Sequence, residues 1–186
     1  MTKILAICGS AAKNSSTKKL LETALAAAAA NGAQTEYIDA AKLTIHGCMG
    51  CNYCKKADKK TICLQKDDML PLYEKIQDSD IIILGSPIYF GDATGQMKCF
   101  IDRLYAFAGA NSLTLKPGKK TAAVITQGYD DLIAYRPAAD RMLGGFLHFG
   151  LKTAAEPLII GGIHTADDLT PDQLKAAEIF GKKLLN

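Results

Sequence analysis

The chain of 186 residues contains no tryptophan, no large excess of charge of one sign and no long hydrophobic run. Its 22 basic and 19 acidic side chains leave a formal net charge of +3, which is too weak to indicate a nucleic-acid partner. The longest apolar runs, residues 25–30 and 81–84, fall far short of the ~18 residues that a membrane-spanning helix requires. The sequence therefore predicts neither a nucleic acid nor a membrane as a partner.

The N-terminal segment lacks the features of a secretory signal. The apolar run after Lys3 stops at Gly9 and Ser10, which is too short for a signal peptide. We therefore expect a cytoplasmic location, where thiols stay reduced. The six cysteines then indicate metal or redox chemistry, because a chain of this length does not need disulfides to fold.

Short apolar runs alternate with longer amphipathic or alanine-rich stretches along the whole chain. They predict five strands, at residues 3–8, 34–39, 80–85, 120–126 and 151–161, and five helices, at residues 16–30, 67–77, 94–108, 130–149 and 170–185. Strands that are apolar throughout are typical of parallel sheets covered on both faces. The sequence thus predicts a single α/β domain, a three-layer doubly wound sheet of five parallel strands in the order 2-1-3-4-5.

The helix predicted at residues 94–108 has an apolar stripe, which leaves Lys98, Asp102 and Arg103 off it. Its aromatic residues Tyr105 and Phe107 would suit a subunit interface. The stripe consists of Met97, Phe100, Ile101, Leu104 and Ala108.

A loop rich in hydroxyl groups follows the first strand and leads directly into a helix. It matches neither the dinucleotide-binding pattern nor the P-loop. Its hydroxyls and the N–H groups at the positive helix end can hold a phosphate monoester. The alternative is that these residues only cap the helix, but the carboxyl end of a parallel strand is where such folds bind ligands. The hydroxyl residues are Ser10, Ser15, Ser16 and Thr17.

Two further loops follow the third and fourth strands and would meet the first one at the same sheet edge. The loop after the third strand places Tyr89 and Phe90 beside Pro87, a mixture of backbone groups and apolar surface that suits a flat heteroaromatic ring. The alternative is that the two aromatic side chains only cover the end of the core.

These segments together resemble the flavodoxin-like NADPH-dependent FMN reductase family. The resemblance rests on Gly9-Ser10 through Thr17, on Gly85-Ser86-Pro87-Ile88-Tyr89 through Gly91, and on Gly95-Gln96-Met97-Lys98 with Asp102-Arg103. It implies one FMN-binding domain over residues 1–186, assembled as a homodimer or homotetramer, with the phosphate on the four hydroxyl residues. The isoalloxazine ring would lie against Ser86, Pro87, Ile88, Tyr89, Phe90, Gly91, Thr126, Gln127, Gly128 and Tyr129.

The first loop departs from the family's usual Gly-Ser-Pro-Arg, since Ala11 and Ala12 stand in the last two places. Lys13 is then the candidate cation for the phosphate.

Four of the cysteines lie in a loop insertion at about residues 43–67. Cys48, Cys51 and Cys54 are spaced by two residues each, and Cys63 follows after eight more. This compact run favours an iron–sulfur cluster over zinc as the metal. It resembles the iron–sulfur flavoprotein branch of the family, which implies a 4Fe-4S cluster on these four residues. Bare thiols, with Cys51 and Cys54 as a dithiol pair, stay open as an alternative.

The sequence therefore predicts an FMN-dependent oxidoreductase that takes electrons from NADPH, NADH or a reduced protein. The acceptor would be a quinone, a flavin, a nitro or azo compound, or a protein, with or without a 4Fe-4S cluster as relay. The alternative is a non-enzymatic electron carrier, of the flavodoxin or the iron–sulfur flavoprotein type. Because flavin supplies the chemistry itself, we assign no catalytic side chain, and we give His46, His148 and His164 no role.

Overall fold

The computed structural model describes residues 1–108, 114–148 and 150–186. The strands are β1 (Lys3–Cys8), β2 (Gln34–Asp39), β3 (Ile81–Tyr89), β4 (Asp92–Ala93), β5 (Lys120–Thr126), β6 (Lys152–Thr153) and β7 (Leu158–Ile160). The helices are α1 (Ser16–Ala30), α2 (Met69–Asp78), α3 (Gly95–Arg103), α4 (Arg136–His148) and α5 (Pro171–Lys183). None of the helices in this part of the chain is long and apolar enough to cross a membrane.

The sheet confirms the predicted α/β class. Strands β2, β1, β3 and β5 lie side by side in that order, all parallel, and β6 and β7 both pair with the free edge of β5. The predicted order 2-1-3-4-5 therefore holds once the fifth strand is counted as two pieces. Between β6 and β7, four residues of the chain lie opposite only two residues of β5, so the segment that joins β6 to β7 forms a bulge. Pro157 lies in this bulge, because a proline cannot donate to the ladder.

Helices cover both faces of the sheet, which explains the unbroken apolar strands. Leu5 and Ile7 of β1 pack on the side of α2, α3 and α4, whereas Ile4 and Ala6 pack on the side of α1 and α5. All four side chains are buried, so β1 is apolar on both faces.

The third strand is longer than predicted. It continues past Gly85 to Tyr89 and turns back through Phe90 and Gly91 into the short antiparallel strand β4. Both turn residues have positive φ, at 50° and 87°. This is the geometry of a two-residue hairpin turn whose backbone twist matches that of the flanking strands.

α3 and α4 differ most from their predicted bounds, while α2 and α5 differ only by a residue or two at their ends. α4 begins at Arg136, not at residue 130, because Pro137 fits only the first turn of a helix. Its predicted end at Phe149 lies outside the described residues. α3 ends at Arg103, and a 3-10 helix, Leu104–Phe107, completes the predicted segment. The prediction that Arg103 lies away from the buried stripe was wrong, since its side chain is only 1% exposed.

Candidate functional site

The carboxyl ends of β1, β3 and β5 lie side by side, and the loops that follow them form one cleft of about 100 Å³. Ten of the predicted FMN residues line it: Ser10, Ser15, Ser16, Thr17, Pro87, Ile88, Tyr89, Thr126, Gln127 and Gly128. Three other residues also line it, namely Ala12, Ile163 and His164.

The N-terminus of α1 forms one wall of the cleft. Ser15 caps the helix, and its hydroxyl accepts a hydrogen bond from the Lys18 N–H at 3.1 Å. The Ser16 hydroxyl has no hydrogen-bond partner among the described residues, and the first N–H groups of a helix lack partners within the helix. The wall therefore offers unpaired donors at the positive end of a helix, which suits an anion.

Thr17 and Thr126 join this wall to the loop after β5. Their hydroxyl oxygens lie 2.6 Å apart in a buried hydrogen bond, so the first and third loops are fixed to each other. Thr17 lies in the helix that follows β1, whereas Thr126 ends β5, and the two strands flank β3, so periodicity alone cannot place these residues together.

Two glycines let the loops approach so closely. A Cβ atom at Gly9 would come within 2.6 Å of the Met97 Cβ, and one at Gly85 within 2.6 Å of a Leu21 methyl group. The Gly9 carbonyl also accepts a hydrogen bond from the Thr94 hydroxyl at 2.7 Å, which anchors α3 under the first loop. Larger residues at either position would push these segments apart.

Gln127 carries an unpaired buried acceptor. Its amide nitrogen donates to the carbonyls of Tyr129 and Asp131, at 2.9 and 2.8 Å, which shapes the loop after β5. Its Oε1 atom is buried and has no hydrogen-bond partner in the described part of the chain. Because buried acceptors are normally paired, this atom fits a ligand that brings a donor into the cleft.

Four predicted FMN residues do not line the cleft. Ser86 is buried beneath it, where its hydroxyl accepts from the Thr94 N–H at 3.0 Å and bonds the Pro87 carbonyl. Phe90, Gly91 and Tyr129 lie outside the cleft, and both aromatic rings are exposed. Ser86 therefore shapes the β3–β4 hairpin, while the Phe90 and Tyr129 rings face solvent.

The predicted metal ligands are not brought together. Cys48 and Cys51 are exposed, while Cys54 and Cys63 are partly buried. Within residues 1–108, 114–148 and 150–186, no group of three or more histidine, cysteine, aspartate or glutamate side chains is placed to hold a metal ion. The loop as it lies here does not fit a 4Fe-4S cluster, so we derive no electron-transfer step through one.

A buried ion pair holds this cysteine loop against α3. Arg103 makes two parallel contacts with the Asp67 carboxylate, at 2.5 and 3.0 Å, and donates to the His46 carbonyl at 3.0 Å. It also donates to the Cys63 sulfur at 3.4 Å. Both ends of the loop are thus tied to one guanidinium group. Helical periodicity gives no sign of this role, because it places Arg103 outside the apolar stripe.

Comparison with known proteins identifies the family of this chain. A family model described as NADPH-dependent FMN reductase matches residues 2–140. The chain belongs to this family.

Curated relatives of this chain are named iron–sulfur flavoproteins. One from Methanocaldococcus jannaschii is 40% identical over 101 residues, which cover 54% of this chain and 51% of the relative. Another, from Archaeoglobus fulgidus, is 35% identical over 116 residues, 62% of this chain and 51% of the relative. The chain therefore spans about half the length of the curated relatives it matches.

Solved structures with the same fold include an NAD(P)H:quinone oxidoreductase from Methanothermobacter marburgensis. It has a TM-score of 0.76 at 16% identity and covers 99% of this chain and 96% of its own. Flavodoxin 1 from Bacillus cereus has a TM-score of 0.64 at 17% identity, with 99% and 97% covered. At such identities the likeness shows the flavodoxin-like fold alone.

The residues of the cleft fit the mononucleotide after which the FMN reductase family is named. The unpaired donors at α1 suit its phosphate, and the Gln127 acceptor suits an N–H or O–H group of the rest of the molecule. The cleft is smaller than the roughly 300–1,000 Å³ of a typical cofactor site, so part of the ligand would lie outside it. Lys13, the predicted cation for the phosphate, is exposed and does not line the cleft.

Proposed function

We propose that the chain binds FMN in this cleft and catalyses electron transfer from NADPH or NADH to a small-molecule or protein acceptor. The observation that carries the proposal is the meeting of the α1 N-terminus with the loops after β3 and β5 at one sheet edge. Family membership supports the cofactor and the class of reaction. The acceptor we propose is a quinone, a free flavin, or a nitro or azo compound.

The residues of the chain would hold and orient the cofactor. Ser10, Ser15, Ser16 and Thr17 would surround the phosphate, while Pro87, Ile88 and Tyr89 would pack on the flavin. Bound FMN would supply the hydride chemistry itself. The Thr17–Thr126 hydrogen bond and the hydrogen bonds of the Gln127 side-chain amide fix the loops before a ligand binds. Little conformational entropy would therefore be lost on binding.

The reductase proposal is tested by its electron donor. Protein loaded with FMN is mixed anaerobically with NADPH or NADH, and the visible flavin absorbance is followed before and after a quinone is added. We expect rapid bleaching, followed by repeated turnover with the quinone. A flavin that is reduced by dithionite but not by either nicotinamide would contradict the reductase and favour the electron carrier.

The electron carrier is the second candidate, because flavodoxins share this fold along the whole chain. The calculated isoelectric point of about 8.5 argues against it on electrostatic grounds, since the flavodoxins that carry electrons tend to be acidic. The nicotinamide experiment separates the two candidates directly.

For the four clustered cysteines we propose binding of a 4Fe-4S cluster after the loop has rearranged. The supporting observations are their spacing and the names of the curated relatives. Iron and acid-labile sulfide are measured on protein purified without oxygen. About four irons per chain would support the cluster. Protein that binds FMN but holds no iron would leave the cysteines as thiols.

We also propose that the chain forms a homodimer or homotetramer. Exposed Tyr89, Phe90, Tyr129 and Ile133 would give a second copy an apolar surface to cover. Phe107 cannot take part in such an interface as expected, because it is buried against Tyr73 in its own core. Sedimentation of the FMN-loaded protein as a monomer alone would contradict this proposal.

A further inference from the structure

A fourth segment, after β7, closes the side of the cleft between the first and third loops. The Ile163 N–H donates to the Gln127 carbonyl at 3.2 Å, which attaches the segment to the loop after β5. The Ala166 N–H donates to the Asn14 carbonyl at 3.1 Å, and the Asn14 amide donates to Asp167 at 2.7 Å. Residues 163–167 therefore bridge the loop after β5 and the loop of Asn14, which carries the proposed phosphate site.

His164 lies in the middle of this bridge, and its ring packs on Gly128. A Cβ atom at Gly128 would come within 2.6 Å of the His164 Cε1 and 3.1 Å of its Nδ1. Glycine at this position thus leaves the space that the imidazole occupies.

The backbone of His164 is held independently of its ring. The His164 and Thr165 N–H groups donate to the Asp168 carboxylate at 2.9 and 2.8 Å, and these bonds hold the pKa of that carboxyl below its ordinary value. The Thr165 hydroxyl and Asp168 form a capping box on the short 3-10 helix Ala166–Asp168. The imidazole is therefore carried into the cleft wall by a fixed turn.

His164 differs in the charge it can carry from the other described residues that line the cleft. Of the described residues that line it, His164 is the one that can carry a positive charge, and Ala12 and the hydroxyl residues around it are neutral. A phosphate monoester carries about 1.5 to 2 negative charges at neutral pH. An imidazole can donate a hydrogen bond to such a group in either protonation state.

We propose that His164 recognises the phosphate monoester of the ligand bound in this cleft, and so selects FMN over riboflavin. The proposal rests on the proposed function and adds a binding residue from the far end of the chain. It assigns to the segment after β7 a part in ligand selection in addition to its structural one.

The test compares the dissociation constants of FMN and riboflavin, each measured by quenching of flavin fluorescence. We expect His164→Ala to weaken FMN binding by roughly 10- to 100-fold, the range of a hydrogen bond to a charged group, and to leave riboflavin binding unchanged. His164→Lys keeps a hydrogen-bond donor in this place and should keep most of the preference for FMN. His46→Ala is the matched control, because it removes an exposed imidazole outside the cleft and should change neither constant.

Three results would overturn the proposal. One is an unchanged FMN constant in a folded His164→Ala variant, and another is an equal loss for FMN and riboflavin, which would place the ring against the flavin instead. The third is a wild-type protein that does not distinguish the two flavins. Wild-type protein that binds neither flavin would instead refute the proposed function, and with it this inference. Circular dichroism and the His164→Lys variant separate a lost contact from a lost fold.

Discussion

The cleft and the cysteine loop are built in opposite ways, although both lie on the same molecule. The cleft forms where parallel strands end, so ladder hydrogen bonds of β1, β3 and β5 hold its loops in place. Residues 43–67 contain no strand and only one short 3-10 helix, Tyr53–Lys55, and they depend on side chains for their position. Loss of the buried ion pair Arg103–Asp67 should therefore cost more stability than loss of any single side chain of the cleft.

Breaking the buried ion pair should have the largest effect. Arg103→Met leaves the Asp67 carboxylate buried without its partner, and we expect the free energy of unfolding to fall by about 3–5 kcal/mol. Urea unfolding measures the change. Lys98→Met is the matched control on the same helix, because it breaks an exposed pair with Asp102 and should cost less than about 1 kcal/mol. Equal effects of the two substitutions would contradict the role given to Arg103.

Lowering the pH should reproduce part of this loss of stability. Burial alone would raise the pKa of the Asp67 carboxyl, but hydrogen bonds from Arg103 and from the His46 N–H outweigh it and lower that pKa. The resulting stability is complete above the unfolded-state pKa of ~3.9 and is lost as the pH falls through the folded-state pKa.

The stability gap between wild type and Asp67→Asn should therefore shrink as the pH drops below about 4, measured by unfolding at a series of pH values. Asp102→Asn serves as the exposed control, and its gap should stay small throughout. A constant gap for Asp67→Asn down to the acid limit of folding would show that the carboxylate contributes no stability.

In the cleft, two neighbouring serines should separate folding from binding. Ser16→Ala removes a hydroxyl without a partner among the described residues, so we expect stability to change by less than about 0.5 kcal/mol while FMN binding weakens by roughly tenfold. Ser15→Ala removes the cap of α1 and should cost about 1 kcal/mol of stability. Thermal unfolding and FMN titration of both variants check this. Identical behaviour of the two variants would refute the separation.

The smallest effects are expected within the cysteine loop. Cys63→Ser alters a partly buried sulfur that accepts from Arg103 and should lower stability by about 1 kcal/mol. Cys48→Ser alters an exposed side chain and should stay within about 0.5 kcal/mol. Neither should change FMN affinity. A loss of FMN binding in either variant would show that the two regions are coupled.

The sequence predicted most of the fold because hydrophobic periodicity and turn residues are local signals. Short apolar runs marked the strands, and the hydroxyl-rich loop before α1 marked one wall of the cleft. The break in the predicted fifth strand also has a local signal, because Pro157 cannot donate to a strand ladder. A prediction of residues 151–161 from hydrophobicity alone does not take this proline into account.

Long-range contacts were the part that the sequence could not supply. Arg103 lies 36 residues from Asp67, and only the packing of α3 against the cysteine loop shows that they meet. His164 enters the cleft from a segment after β7. The residue that leaves space for its ring, Gly128, is distant from it in the sequence. Such partners are fixed by tertiary structure, so helical periodicity and loop composition give no sign of them.

The most direct test of the central claim is titration of the flavin-free protein with FMN. The account predicts saturable binding of one FMN per chain, with affinity reduced by roughly tenfold in Ser16→Ala. Protein that is folded by circular dichroism but binds no FMN would contradict the claim that this cleft is a flavin site.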